Sequence, residues 1–135
     1  MSVRVTEAAP PLIHPIRVLI ADDHVLFAEA LETILGADER ISLVGRAVNG
    51  KEAVRLVAEL DPEVVLMDIS MPVLDGIEAT REIRAQNPAV CVLMLTGSSA
   101  NTDVDRSRRA GASGYITKDR IAADLIEAIV TVARC

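Results

Sequence analysis

Short apolar runs alternate along this chain with segments whose apolar residues recur every three or four positions. Ile16 to Ala21 is almost continuously apolar, the pattern of a strand buried on both faces. Leu26, Phe27, Ala30, Leu31, Ile34 and Leu35 then recur at helical spacing over Val25 to Leu35, and Gly36 is placed to stop that helix. Ser42 to Val48 reads as a second strand, mixed by Gly45 and Arg46 as expected at a sheet edge. Asn49 and Gly50 make a turn, Ala53, Leu56, Val57 and Leu60 mark the second helix, and Asp61 with Pro62 ends it. A third strand, Val64 to Met67, leads into a loop holding Met71, Pro72, Asp75 and Gly76, then a helix from about Ile77 to Ala85. Val90 to Leu95 is a fourth strand, followed by a weaker helix ending at Ala110, a short strand near Gly114 to Ile116 and a last helix from Ile121.

Strand alternating with helix implies right-handed crossovers and a parallel sheet covered on both faces, an α/β fold. Ligands of such open sheets bind outside the carboxyl ends of the strands. Four strands here run out on polar residues: Asp22 and Asp23, Asp68, Thr96 and Lys118. Topology thus brings Asp23 and Asp68 together although 45 residues separate them. Carboxylates beside one lysine and one hydroxyl suit a divalent cation and a phosphoryl group, because hard cations prefer oxygen and the lysine neutralises added negative charge.

Composition narrows the reading. At 135 residues the chain fits one domain, residues 16–135, behind a flexible extension, residues 1–15, that carries Pro10, Pro11 and Pro15. Phe27 and Tyr115 are the only aromatics, so the core is aliphatic and Tyr115 is conspicuous. Fourteen basic against 20 acidic residues, with no basic run, argue against DNA binding by this segment alone. Neither a secretory signal nor an apolar stretch of membrane-spanning length is present, which places the protein in the cytoplasm. Cys91 reads as a buried thiol and Cys135 as an exposed end, without a disulfide framework. No Walker loop or dinucleotide fingerprint follows the first strand, which argues against nucleotide binding.

Four segments stand in a characteristic order: Ile20-Ala21-Asp22-Asp23-His24, Met67-Asp68-Ile69-Ser70-Met71-Pro72-Val73-Leu74-Asp75-Gly76, Leu95-Thr96-Gly97 and Gly114-Tyr115-Ile116-Thr117-Lys118-Asp119. Together they resemble a bacterial response-regulator receiver domain over residues 16 to 135. The Asp-Asp-His opening and Lys-Asp ending further resemble the NarL/FixJ group, whose members usually carry a C-terminal LuxR-type helix-turn-helix. Asp119 departs from the proline that many receivers have after the lysine.

The resemblance implies a flavodoxin-like, CheY-like (βα)5 sandwich of three layers with strand order 2-1-3-4-5. It implies Asp68 as phosphoacceptor from the phosphohistidine of a sensor histidine kinase, Mg2+ held by Asp22, Asp23, Asp68 and the Ser70 backbone carbonyl, and Lys118 and Thr96 as partners of the phosphoryl oxygens. Tyr115 is similar to the family's switch aromatic, and Ser70 and Ser98 to positions that tune phosphate lifetime. For His24 a packing or solvent role is expected, since Mg2+ disfavours nitrogen. The implied function is that of a switch and not an enzyme, the receiver of a transcriptional regulator whose DNA-binding part is absent from this chain; the alternative is a stand-alone receiver acting by protein contact. A haloacid-dehalogenase-like phosphatase would need a second aspartate where Ser70 stands. On a helical wheel the last helix keeps Ala123, Ile126 and Val130 beyond a single sheet-facing stripe, which suggests self-association or output-domain contact there, together with the fourth helix and the Tyr115 strand.

Overall fold

The computed structural model describes residues 14–97 and 101–134. The expected extension up to residue 13, the loop with Ser98, and Cys135 lie outside the described residues.

Five strands form one parallel sheet: β1 (Ile16–Ala21), β2 (Ile41–Ala47), β3 (Val64–Asp68), β4 (Cys91–Thr96) and β5 (Gly114–Thr117). Their order is β2-β1-β3-β4-β5, as expected, with the mixed strand β2 at an edge. Helices α1 (Val25–Gly36), α2 (Gly50–Leu60), α3 (Gly76–Gln86), α4 (Asn101–Ala110) and α5 (Ile121–Val132) fill the connections and the C-terminal end. The order in which strands are added reverses between β1 and β3, so the carboxyl ends of these two parallel strands flank the crevice.

Alternation along the strands divides the core. Val18, Ile20, Val64, Leu66, Leu93 and Leu95 face α1 and α5, where Leu31, Leu35, Leu125 and Ile129 close the layer. Leu19, Val65, Met67, Val92 and Met94 face the other way, against Val57 of α2, Ile77 and Ile83 of α3 and Ala110 of α4. Each fully buried leucine or isoleucine contributes about 1.5–3 kcal/mol relative to exposure, so two layers anchor every central strand.

Four local features differ from the sequence expectation. Asn49 does not sit in a free turn: it caps α2, its side-chain oxygen accepting the Glu52 N–H at 2.8 Å while Glu52 accepts the Val48 N–H at 2.9 Å. Lys118–Arg120 forms a single 3-10 turn before α5. Ile126 and Val130 pack partly against the core, leaving less apolar surface on α5 than the wheel suggests. Cys91 is buried, but disulfide-bonded and not a free thiol. No helix among the described residues is long and apolar enough to cross a membrane.

The segment joining β3 to α3 is held tightly at both ends. Gly76 N–H donates to the Ile69 carbonyl at 2.8 Å, and a Cβ at position 76 would lie 2.0 Å from the Asp68 carbonyl oxygen. Gly50, opening α2, packs as closely on the Leu74 carbonyl, where a Cβ would stand 2.1 Å away. Between these contacts Leu74 N–H donates to the Pro72 carbonyl at 2.8 Å, a γ-turn centred on Val73 at φ +71°. A β-branched residue in the left-handed region carries strain of about 1–3 kcal/mol, and Val73 has little packing to offset it at 76% exposure. Val73→Gly is therefore expected to raise the urea-unfolding free energy by about 1 kcal/mol, the relief exceeding the flexibility glycine adds to the unfolded chain. An unchanged or lower unfolding midpoint would contradict a strained turn.

Candidate functional site

Strand parity decides where the acidic residues point. Asp22 follows Val18 and Ile20, and Asp68 follows Val64 and Leu66, so both carboxylates emerge on the α1/α5 side of the sheet. Asp22 and Asp68 are buried, at 1% and 3% exposure, whereas the Asp23 side chain keeps 29%. Oxygens of Asp22, Asp23 and Asp68 and a ring nitrogen of His24 all lie within 4.8 Å of one another.

Asp22 does part of this work for the backbone. Its Oδ1 accepts the His24 N–H at 2.8 Å and so shapes the turn into α1, while the His24 side chain, at the capping position, makes no hydrogen bond to the helix backbone and instead meets Asp22 Oδ1 at 3.2 Å. Lys118, on the 3-10 turn after β5, places Nζ 3.4 Å from Asp68 Oδ1 and 3.8 Å from Asp22 Oδ2. Three carboxylates against one ammonium leave an excess of two negative charges. Asp22 Oδ2, Asp23 Oδ1 and Asp68 Oδ2 are moreover buried without a hydrogen-bond donor. Buried charged oxygens left without donors are costly unless a cation compensates them, so charge and donor set together fit a divalent ion with oxygen preference.

Burial pushes the Asp68 carboxyl above the usual carboxylate range, and the neighbouring Asp22 charge pushes it further. The Lys118 ammonium and the Ser70 backbone N–H, which donates to Asp68, pull the other way without prevailing. The Asp68 carboxylate is thus held in a position hostile to its own charge.

Of the remaining expected residues, Ser70 stands exposed beside Asp68. Thr96 is buried at the end of β4, one position beyond Leu95, the register partner of Asp68. Tyr115 sits opposite Met94 on β5 and is 46% exposed, bordering a hollow lined by Val104, Ser107 and Arg108 of α4. The structure therefore gathers Asp22, Asp23 and Asp68, sets Lys118 against Asp68 and Asp22, places Ser70 and Thr96 beside them in the chain and the sheet, and leaves Tyr115 outside the cluster.

Two residues gain a place that the sequence reading did not give them. His24 Nδ1 lies 3.2 Å from Asp22, 3.3 Å from Asp23 and 3.7 Å from Asp68, against one oxygen of each. Phe27 holds its ring under Lys118, with Nζ 4.6 Å from the centroid. The available signal for Phe27 was its spacing, one helical turn after Asp23, in a chain with a single phenylalanine.

Residues 18–130 match the response regulator receiver domain. The chain belongs to this family. Among curated proteins, this receiver is 39% identical over 117 residues to the transcriptional regulatory protein LnrK of Bacillus subtilis (strain 168), covering 87% of this chain and 53% of that protein. It is 40% identical over 119 residues to the transcriptional regulatory protein DegU of Brevibacillus brevis, covering 88% of this chain and 50% of that one. The chain thus spans about half the length of these curated relatives. A crystal structure of a LuxR-family two-component response regulator from Aurantimonas sp. SI85-9A1 superposes with a TM-score of 0.85 at 33% identity, over 89% of this chain and 86% of that one.

The receiver's acidic pocket has a pH signature. Because folding raises the Asp68 pKa above its unfolded value, the folded state holds that proton more tightly, and the associated stability, full in acid, is lost as pH rises through the folded pKa. Asp68→Asn, which stays neutral, is expected to be more stable than the parent at pH 7 in metal-free buffer. The difference should shrink towards pH 3. Urea unfolding of both proteins across that range checks it, and a variant no more stable than its parent at pH 7 would contradict the assigned shift.

Proposed function

We propose that this receiver accepts a phosphoryl group on Asp68 from the phosphohistidine of a sensor histidine kinase, and that the aspartyl phosphate switches a DNA-binding output in a longer transcriptional regulator. The observation that carries the proposal is the carboxylate trio, two of its members buried, with its donorless oxygens beside Lys118. Relatives that are named transcriptional regulators, and that this chain matches over only about half of their length, support the second half.

In the transfer, an Asp68 oxygen attacks phosphorus, the phosphorus–nitrogen bond of the donor breaks, and the departing imidazole takes up a proton. Carboxylate and phosphoryl oxygens repel one another, so the reaction requires compensating charge and fixed alignment. Asp22, Asp23, Asp68 and the Ser70 carbonyl are the residues to hold Mg2+, which when bound neutralises charge between the two sets of oxygens. Lys118, already 3.4 Å from Asp68 Oδ1, pairs with the new phosphoryl oxygens as the carboxylate becomes an acyl phosphate. The Thr96 hydroxyl donates from the neighbouring strand, and Tyr115 turns inward from its exposed position toward the core. Carrying such a two-state equilibrium from 1:99 to 99:1 needs about 5.5 kcal/mol of differential stabilisation, which a few charge-assisted contacts in a buried pocket supply. Phosphorylation then changes association or output-domain contact along α4, β5 and α5.

Two measurements test the acceptor and its metal. Incubated with acetyl phosphate and Mg2+, the parent chain is expected to take one acid-labile phosphoryl group and Asp68→Asn none; stoichiometric labelling of the variant would move the acceptor elsewhere. Asp23→Asn is expected to weaken Mg2+ binding at least about tenfold by calorimetric titration, since even partners outside the ligand sphere cost that much. Unchanged affinity would remove Asp23 from the ligand set.

A further inference from the structure

Lys118 is held by two acidic groups that do not hold it closely. Its contacts of 3.4 Å with Asp68 and 3.8 Å with Asp22 exceed the 2.7–3.2 Å of well-formed hydrogen bonds, which leaves the ammonium poorly located by charge alone. The third contact is with the face of Phe27, at 4.6 Å from the ring centroid. That ring belongs to α1, one turn beyond Asp23, and packs against the buried layer formed by α1, α5 and the sheet, so its position is fixed by the core. The Lys118 side chain is 26% exposed, which places the contact in a partly desolvated setting where a cation over an aromatic face is attracted appreciably.

We propose that Phe27 is a positioning residue for phosphoryl transfer, holding the Lys118 ammonium over Asp68 through its aromatic face; the inference rests on the reading of Asp68 as acceptor. The chemistry suits the task. A third carboxylate would bind Lys118 more strongly but would add repulsion toward an incoming phosphoryl group, whereas a ring carries no net charge. It supports the ammonium from below, excludes water from that side, and leaves its N–H donors directed at the oxygens of Asp68 and of the group transferred to it. An aliphatic side chain of similar size would fill the space without fixing the charge.

Phe27 is the chain's only phenylalanine, so expression with mono-, di- and trifluorinated phenylalanine alters this ring alone. Fluorine withdraws density from the ring face and barely changes its shape, which separates attraction from packing. With saturating acetyl phosphate and Mg2+, the rate of Asp68 phosphorylation is expected to fall stepwise along the series, by about two- to fivefold at trifluorination. In the proton spectrum the Lys118 Hε resonances are expected upfield in the parent and in Phe27→Tyr, and at their ordinary position in Phe27→Leu. A parent that is labelled but shows a flat rate series, or Lys118 resonances that do not move in Phe27→Leu, overturns the role of Phe27 and leaves the acceptor standing. A parent that takes no label overturns the acceptor and this inference with it.

Discussion

Mutual repulsion among Asp22, Asp23 and Asp68 is the constraint to which the rest of the molecule answers. Like charges about 4 Å apart oppose one another by roughly 4 kcal/mol near a protein surface, and burial of two of these three makes the arrangement costlier. Nothing local to the acidic residues would keep them together. They are brought to one crevice because β1 and β3 are neighbours, and these strands are neighbours because each is sandwiched between two apolar layers. The hydrophobic energy of the sheet is thereby converted into electrostatic tension at its edge, relieved in part by Lys118, by N–H groups of His24 and Ser70, and by any cation the pocket takes.

The same parity that collects the carboxylates separates them from Tyr115. Asp22 and Asp68 emerge toward α1 and α5, whereas Tyr115, level with Met94, belongs to the face covered by α4. In the proposed switch an event at Asp68 must therefore be felt through the sheet. Thr96 ends β4 on the same parity as Met94 and adjoins the strand of Asp68.

Much of this was legible in the sequence, for a physical reason. Strands buried on both faces are written as apolar runs, so Ile16–Ala21 and Cys91–Thr96 announce themselves, and the polar residue closing each run, Asp22 or Thr96, marks the strand's end. Asn49 and Gly50 were harder: the same dipeptide serves tight turns and helix caps, and the carbonyl that requires glycine, that of Leu74, lies 24 positions away. His24 and Phe27 escaped because their significance is relational. A histidine following two aspartates and a phenylalanine on an apolar stripe look like packing until the 3-10 turn delivers Lys118 above them. Ile126 and Val130 erred in the other direction, since a wheel cannot tell how deeply α5 beds into the sheet.

The two glycine contacts also determine how the chain is free to evolve. With backbone oxygens waiting where a methyl at position 50 or 76 would go, the stretch from Ile69 to Asp75 behaves as a bracket bolted to the scaffold at both ends. Pro72 and Val73 form its exposed crest, and Pro72 lines the hollow at the mouth of the crevice with Asp23 and His24. Side chains at that crest can be exchanged, and with them the face presented at the mouth of the crevice, while the bolted backbone beneath keeps its course.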